Sequence, residues 1–439
     1  MTMIIQNVAI LCKDGVLESQ DLTIQDGRIE KISEHDPAVQ GVEAIAFGDR
    51  RVLAIPALVN AHTHTGMAFL RGVADDSAFE EWLFNRILPR EDKLTENDVY
   101  WGALFSQMEM ARYGIALFND MYMYPEKVCQ AVADFGMKAC VCRGLVDQGG
   151  ENGRIDENCK AFEKWHGYQN RIRVGFGPHA PYTCSEAYIA QIVGIAKEAD
   201  TFVHIHIHES KRERGLYAIE TLARAGLFEV PCYMAHCVHL EEKEVAWMKG
   251  SKAIVLHNPS SNLKLANGIA PLSLFRKAGL PVILGTDSAA SNNALDIWRE
   301  MLLTALVQKG ITGDPTVYPA REVFAMATEE GYRCLGFEGS GSIRVGNKAD
   351  LAFLSMEDVN YHPFSFEDPT ASSKIYSYLV YSSSAKDILG TMVDGRWVYL
   401  RRQAEGSQGA DFSAEDFPTV DAKRVILEIN RMSQRINTD

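Results

Sequence analysis

Between residues 57 and 344, short apolar runs alternate with helical stretches, and this alternation constrains the fold more than any other feature. The runs are "ALVNAHTHTG", "GIALFND", "KACVCRGLVD", "RIRVGFGPHAPY", "TFVHIHIHES", "PCYMAHCVHL", "KAIVLHNPSSN" and "PVILGTDSAASNN". Stretches such as "SEAYIAQIVGIAKEAD" and "SLFRKAG" lie between them. Apolar runs of strand length joined by helices predict a parallel sheet, and about eight of them suit an α/β fold of the (β/α)8 barrel type. A doubly wound sheet is the competing architecture. No G-x-G-x-x-G follows any of the runs, which counts against it.

The two ends have another texture. "MIIQNVAIL" and "DLTIQDGRIEKIS" near the start, and "KADLAFLSM" and "KDILGTMVDGRWVYLRRQ" near the end, are short strand-like runs with Asp-Gly hairpin signals. Lone hairpins are unstable in water, so the ends are expected to pair into one small β-sandwich. The expected organisation is a sandwich built from 1–56 and 345–410, a catalytic barrel over 57–344, and a helical tail over 411–439. In the tail, "DAKRVILEINRMSQRI" has the pattern of an amphipathic helix.

Bulk properties narrow the function classes. The 439 residues suffice for one large barrel with an appendage, and 46% hydrophobic content excludes a disordered chain. A formal net charge of -14 repels phosphate backbones, so no nucleic-acid partner is expected. The H-x-E…P-C-x-x-C signature of polynucleotide deaminases is also missing. No apolar stretch approaches the ~18 residues of a membrane span. "MTMIIQNVAILCKDG" has neither a basic flank nor a small-residue cleavage site and reads as a strand rather than a signal peptide. The nine cysteines are scattered without any C-x-x-C, as in a chain of the reduced cytoplasm.

Chemistry-capable residues sit at the ends of the apolar runs: His62, His64, Asp120, Arg143, His179, His206, Glu209, His236, His257 and Asp287. In a parallel barrel the carboxyl ends of all strands open on one face, so these groups are expected to converge. His62 and His64 are two apart, which turns both rings to one side of a strand. An H-x-H pair alone is a weak signal, since two polar residues at a strand end are also simply solvated. "VHIHIHES" offers three more imidazoles. His206 is the candidate ligand, with His204 deeper in the barrel, His208 nearer the loop, and Glu209 just beyond. Asp287 follows the last run, where a helix cap is the competing role. Three histidines and one carboxylate form a set far more specific than its parts, and neutral imidazole suits zinc. Fe2+ or Mn2+ are the alternative occupants.

The metal set resembles that of the amidohydrolase superfamily. "GPHAPYTCSE", "IHIHES", "AHCVHL", "HNPSSNLKLANGIAP" and "LGTDSAASNN" are similar to its methylthioadenosine/S-adenosylhomocysteine deaminase branch, and the likeness spans essentially the whole chain. The resemblance implies that His62, His64, His206 and Asp287 hold one zinc per chain. Two-metal members commonly carry a lysine at the end of the fourth strand, where this chain offers His179. Catalysis would fall to Glu209 as the acid that protonates a ring nitrogen, to Asp287 as the group that takes a proton from water, and to His236 as the group that orients the nucleophile. The same likeness places Glu91 on ribose hydroxyls, His179 on the purine, and Arg143 and Arg154 on the carboxylate of an amino-acid tail. If one arginine comes from a neighbouring subunit, the enzyme is a homo-oligomer. Taken by itself, Glu91 reads as a surface charge, Arg154 as a loop residue, and Arg143 as an ion-pair partner near Asp147.

The implied function is deamination of S-adenosylhomocysteine or 5′-methylthioadenosine, with adenosine as a further small nucleoside substrate. A relative acting on guanine, an 8-oxopurine, a pterin or a chloro- or amino-triazine is the alternative. Two departures from the family pattern bear on substrate range: Ser288 stands where Gly often follows the strand-eight Asp, and Ala57 where "P-G-L-V-N" usually has Gly.

Overall fold

The computed structural model describes residues 2–13, 15–38, 44–47, 51–148, 150, 153–214, 218–402 and 414–437. Residues 403–413, where the expected sandwich would end and the tail begin, lie outside the described residues.

The apolar runs form eight strands, named here in chain order: β1 Leu58–Thr63, β2 Ile115–Tyr122, β3 Lys138–Leu145, β4 in two pieces (Ile172–Val174 and Gly177–Pro178), β5 Val203–Ile207, β6 Cys232–His236, β7 Ala253–His257 and β8 Val282–Leu284. Neighbours pair in parallel from β1 to β4 and from β5 to β8. Two seams join these halves. At one, Phe176 bridges Val203 and His206 N donates to His179 O at 3.0 Å. At the other, Thr286 N and Asp287 N both donate to His62 O, at 3.1 and 2.9 Å. Every residue of β5, β6 and β7 is buried, as expected for parallel strands covered by helices outside and packed side chains inside. Phe202, Tyr233, Leu256 and Ile283 cluster with Tyr332, Leu335 and Phe337, and this apolar cluster fills the interior.

The chain ends meet in one nine-stranded sheet. Residues 52–56, which run directly into β1, pair antiparallel with Leu351–Ser355 over five positions. The sheet has its own core, to which Ile5, Leu22, Ile24 and Ile29 come from one end and Leu351, Phe353, Leu389 and Met392 from the other. Residues 414–416 add an edge strand beside Arg396–Arg402. The helix Ala422–Asn437 buries Val425, Ile429, Met432 and Ile436, one face at helical spacing. Arg435 of that helix reaches Asp98 in the first turn of the barrel helix Glu96–Arg112. No helix among the described residues is long and apolar enough to cross a membrane.

A buried ion cluster couples barrel to sheet. Lys138, the first residue of β3, is 2% exposed and pairs with Asp350 and, at 2.9 Å, with Asp394. Removing one partner of a buried pair leaves the other charge uncompensated. Lys138→Met is therefore expected to cost about 3–5 kcal/mol of stability, read as a lowered urea midpoint. A shift under about 1 kcal/mol would show that the cluster does not matter to the fold.

Candidate active site

The carboxyl ends of the strands deliver the polar groups to one mouth. His62 lies in β1 and His64 just past it, while Asp287 lies three residues beyond β8. The β8–β1 seam closes because residue 285 is glycine: a Cβ there would sit 2.6 Å from His62 N. Asp287 and His236 have φ of +61° and +70°. For residues with a Cβ this conformation is strained by roughly 1–3 kcal/mol, and such strain gathers at functional sites. The short helix Ala289–Asn292 is capped by Ser288, whose side chain accepts from Ser291 N. The carboxylate of Asp287 is thereby released from a capping role.

His62 Nε2 and His64 Nε2 stand 3.5 and 3.2 Å from Asp287 Oδ1. The His206 ring centroid is 5.0 Å from that of His62 and 5.4 Å from that of His64. Donor atoms of His62, His64 and Asp287 fall within 4.8 Å of one another, as do those of His62, His206 and His236. Each outer ring nitrogen is engaged elsewhere. His64 Nδ1 donates to Met121 O at 2.6 Å, His206 Nδ1 to His179 O at 2.7 Å, and His62 Nδ1 meets His204 Nε2 at 2.9 Å. These bonds leave the Nε2 lone pairs facing inward, and His62 Nε2 is buried with no hydrogen-bond partner. Burial, reinforced by the neighbouring imidazoles, pushes His62 down to about 3, so it is neutral. For His64 burial acts the same way, but the Asp287 hydrogen bond and charge outweigh it and raise the group to about 9. A buried carboxylate that draws positive charge to this spot, with the neutral imidazoles of His62 and His206 beside it, fits a divalent metal ion.

Around the donors the polar groups are fixed. Asp287 Oδ2 accepts from Ser261 Oγ at 2.6 Å and from Ser291 Oγ at 2.8 Å, which leaves Oδ1 toward the imidazoles. Glu209 Oε1 accepts from Asn267 Nδ2 at 2.9 Å, and Oε2 lies 3.7 Å from His236 Nε2. Burial, with the nearby Asp287 and Glu213 charges, raises Glu209 well above the usual carboxylate range, which favours its protonated form. His236 Nδ1 rests on Asn262 Oδ1 at 2.8 Å.

His64, His206, Glu209, His236 and Asp287 line a cavity of about 470 Å³. Its wall also carries Glu91, Arg143, Arg154 and His179, opposite the apolar Phe79, Trp82, Leu83 and Phe84. Glu91 is half-buried rather than a surface charge, and accepts from Tyr122 OH at 2.5 Å. Arg143 pairs with Glu157 at 2.8 Å and not with Asp147, which binds Ser185 instead. His179 Nδ1 meets Thr183 Oγ1 at 2.9 Å. Of the ten site residues that the resemblance implies, nine line this cavity, and the tenth, His62, is completely buried beside Asp287. Asp120 and His257 also end strands but do not line the cavity: Asp120 accepts from Thr65 N at 2.6 Å, and His257 is buried.

The model of the amidohydrolase family matches residues 53–398. The chain belongs to the amidohydrolase family. It is 40% identical over 437 residues to the 5-methylthioadenosine/S-adenosylhomocysteine deaminase of Thermotoga maritima, covering 99% of each chain. The enzyme of the same name from Dictyoglomus thermophilum is 39% identical over 92% of this chain and 94% of that one. Among solved structures, a zinc-bound adenosine deaminase from Xanthomonas campestris superposes with a TM-score of 0.88 at 26% identity, over 100% of this chain and 99% of that one. Atrazine chlorohydrolase TrzN from Arthrobacter aurescens, complexed with zinc, shares the fold at 19% identity and a TM-score of 0.82, over 98% and 100% of the two chains.

Sequence reasoning did not single out the residues that hold this amidohydrolase site in place. Ser261, Asn262 and Asn267 follow β7 inside "HNPSSNLKLANG", and Ser291 sits inside "DSAASNN". Small polar residues next to a candidate ligand were the available signal. Ser288, the departure from the family pattern, caps its helix and its Oγ lies 3.0 Å from Ser291 Oγ. Glu300 supports both loops, accepting from Ser260 N and Asn292 Nδ2, each at 2.9 Å.

Two outcomes are expected. His64→Ala or Asp287→Ala should lose the bound metal on gel filtration, measured as metal per chain; full retention would refute the donor set. Burial raises Glu300 from 4.5 to about 7, so the folded protein holds this proton more tightly than the unfolded chain. Its contribution therefore falls by up to about 3 kcal/mol as pH rises through that window. Glu300→Gln should flatten that fall, read as urea midpoints at about pH 5 and about pH 8; an unchanged slope would contradict it.

Proposed function

We propose that this chain is a zinc-dependent hydrolytic deaminase with one zinc per chain, acting on S-adenosylhomocysteine and 5′-methylthioadenosine, with adenosine as a further substrate. The adenine becomes hypoxanthine and ammonia leaves. What carries the reading is a single cavity that brings His64, His206 and Asp287 together with the buried carboxyl of Glu209 and the guanidiniums of Arg143 and Arg154. The names of the relatives in Thermotoga maritima and Dictyoglomus thermophilum support it.

His62, His64, His206 and Asp287 would hold the zinc, which when bound supplies Lewis acidity that brings the pKa of water to about 7. The chain's own groups then divide the proton transfers. Water adds to C6 of the ring, and the Asp287 carboxylate takes its proton. Glu209 gives the Oε2 proton to the adjacent ring nitrogen, which makes C6 electrophilic; its Oε1 is already held by Asn267. His236, steadied by Asn262, orients the water and stabilises charge in the adduct. The C6–N bond breaks as the amine takes the proton from Asp287 and departs as ammonia, while the C6 hydroxyl returns its remaining proton to Glu209 and becomes the carbonyl of hypoxanthine. Glu91 accepts from the ribose diol, His179 contacts the purine, and Arg143 and Arg154 clamp the amino-acid carboxylate.

Glu209→Gln should lower kcat by about 10²–10⁴-fold with zinc content unchanged, measured by ammonia release. Arg143→Ala and Arg154→Ala should each raise KM for S-adenosylhomocysteine about tenfold or more, and that for methylthioadenosine much less. Equal effects on the two substrates would remove the carboxylate clamp. Ammonia from guanine alone, in a screen of adenosine, methylthioadenosine, S-adenosylhomocysteine and guanine, would replace this reading with another heterocycle.

A further inference from the structure

Of the three histidines at 204, 206 and 208, His204 has no part in the chemistry above, yet it is completely buried in the barrel interior between β1 and β3. Its Nε2 lies 2.9 Å from His62 Nδ1, and its Nδ1 3.8 Å from Cys142 Sγ. The Cys142 thiol in turn donates to Asp120 O at 3.5 Å. One arrangement of protons satisfies every member of this chain. The Asp120 carbonyl only accepts, so the thiol hydrogen points to it and the sulfur is left to accept from His204 Nδ1–H. His204 Nε2 then has a lone pair and accepts from His62 Nδ1–H. The lone pair of His62 is thereby placed on Nε2, the buried atom that has no hydrogen-bond partner.

The other imidazoles of the donor set reach the same state through backbone carbonyls, Met121 O for His64 and His179 O for His206. For His62 the partner is a side chain, so the outcome depends on which residue occupies position 204. We infer that His204 is a positioning residue: backed by Cys142, it fixes the tautomer and ring orientation of His62 and so strengthens divalent-cation binding. This rests on the proposed role of His62, His64, His206 and Asp287 as the metal donors. Partners of this kind typically change metal affinity 10–100-fold when removed.

The test is Zn2+ titration of the full-length metal-depleted protein against a chromogenic chelator, for wild type, His64→Ala, His204→Leu, His204→Asn and His204→Gln. Melting of each metal-free form checks that folding is equal. His204→Leu should bind Zn2+ about 10–100-fold more weakly. His204→Gln should come close to wild type, because its carbonyl oxygen reaches the place of Nε2 and its amide reaches the sulfur; the shorter His204→Asn should not. If His204→Leu does not fold, the contrast between Gln and Asn decides. Wild-type affinity in His204→Leu and His204→Asn, with binding lost in His64→Ala, overturns the role of His204 alone. Equal weakness of Gln and Leu in equally stable proteins overturns it too, since packing would then be the cause. Retained binding in His64→Ala overturns the donor set itself.

Discussion

The β8–β1 seam is the contact on which the rest depends. Two backbone N–H groups, from Thr286 and Asp287, converge on the carbonyl of His62. This closes the cylinder and sets a carboxylate beside two imidazoles from the other end of the barrel sequence. Gly285 permits the approach, Ser288 takes over the capping of the next helix, and Ser261 and Ser291 hold one oxygen of Asp287. Without closure, none of the donor geometry would exist, because no local segment contains more than two of the four side chains.

Burial then sorts the ionisable groups. Two carboxylates share one cavity, and their surroundings push them in opposite directions. Glu209, with one amide donor and acidic neighbours, is raised, which favours its protonated form. Asp287 is lowered: burial opposes this, but the hydrogen bond and charge of His64 beside it prevail. A pair of carboxyls separated in this way supplies an acid and a base at one pH. The imidazoles are set by their outer nitrogens, two through carbonyls and one through His204, so that lone pairs point toward a common centre.

Much of this was legible in the chain. Period-2 spacing aligned His62 with His64 and His204 with His206, and the barrel topology made residues hundreds of positions apart neighbours. Strand-like runs at both ends announced that the ends would pair, expected as a small sandwich and found as one nine-stranded sheet, since neither piece is stable alone. The supporting contacts were not legible. Nothing in "GLVDQGGENGRIDE" distinguishes Glu157 from Asp147 as the partner of Arg143; the turn of the helix Arg154–Trp165 decides it. Likewise Ser261, Asn267 and Ser291 are ordinary loop residues until the strand ends are brought to one face. His208, whose φ is +44° just past β5, has its Nδ1 3.9 Å from Glu244 Oε1 rather than among the donors.

The central claim is that four side chains share one metal ion, and diffraction from crystals of the purified protein at energies across the zinc absorption edge tests it most directly. The account predicts one strong anomalous peak per chain, at about 2.0–2.2 Å from Nε2 of His62, His64 and His206 and from Oδ1 of Asp287. A map without a peak among these atoms, from protein that is active in ammonia release, would contradict it.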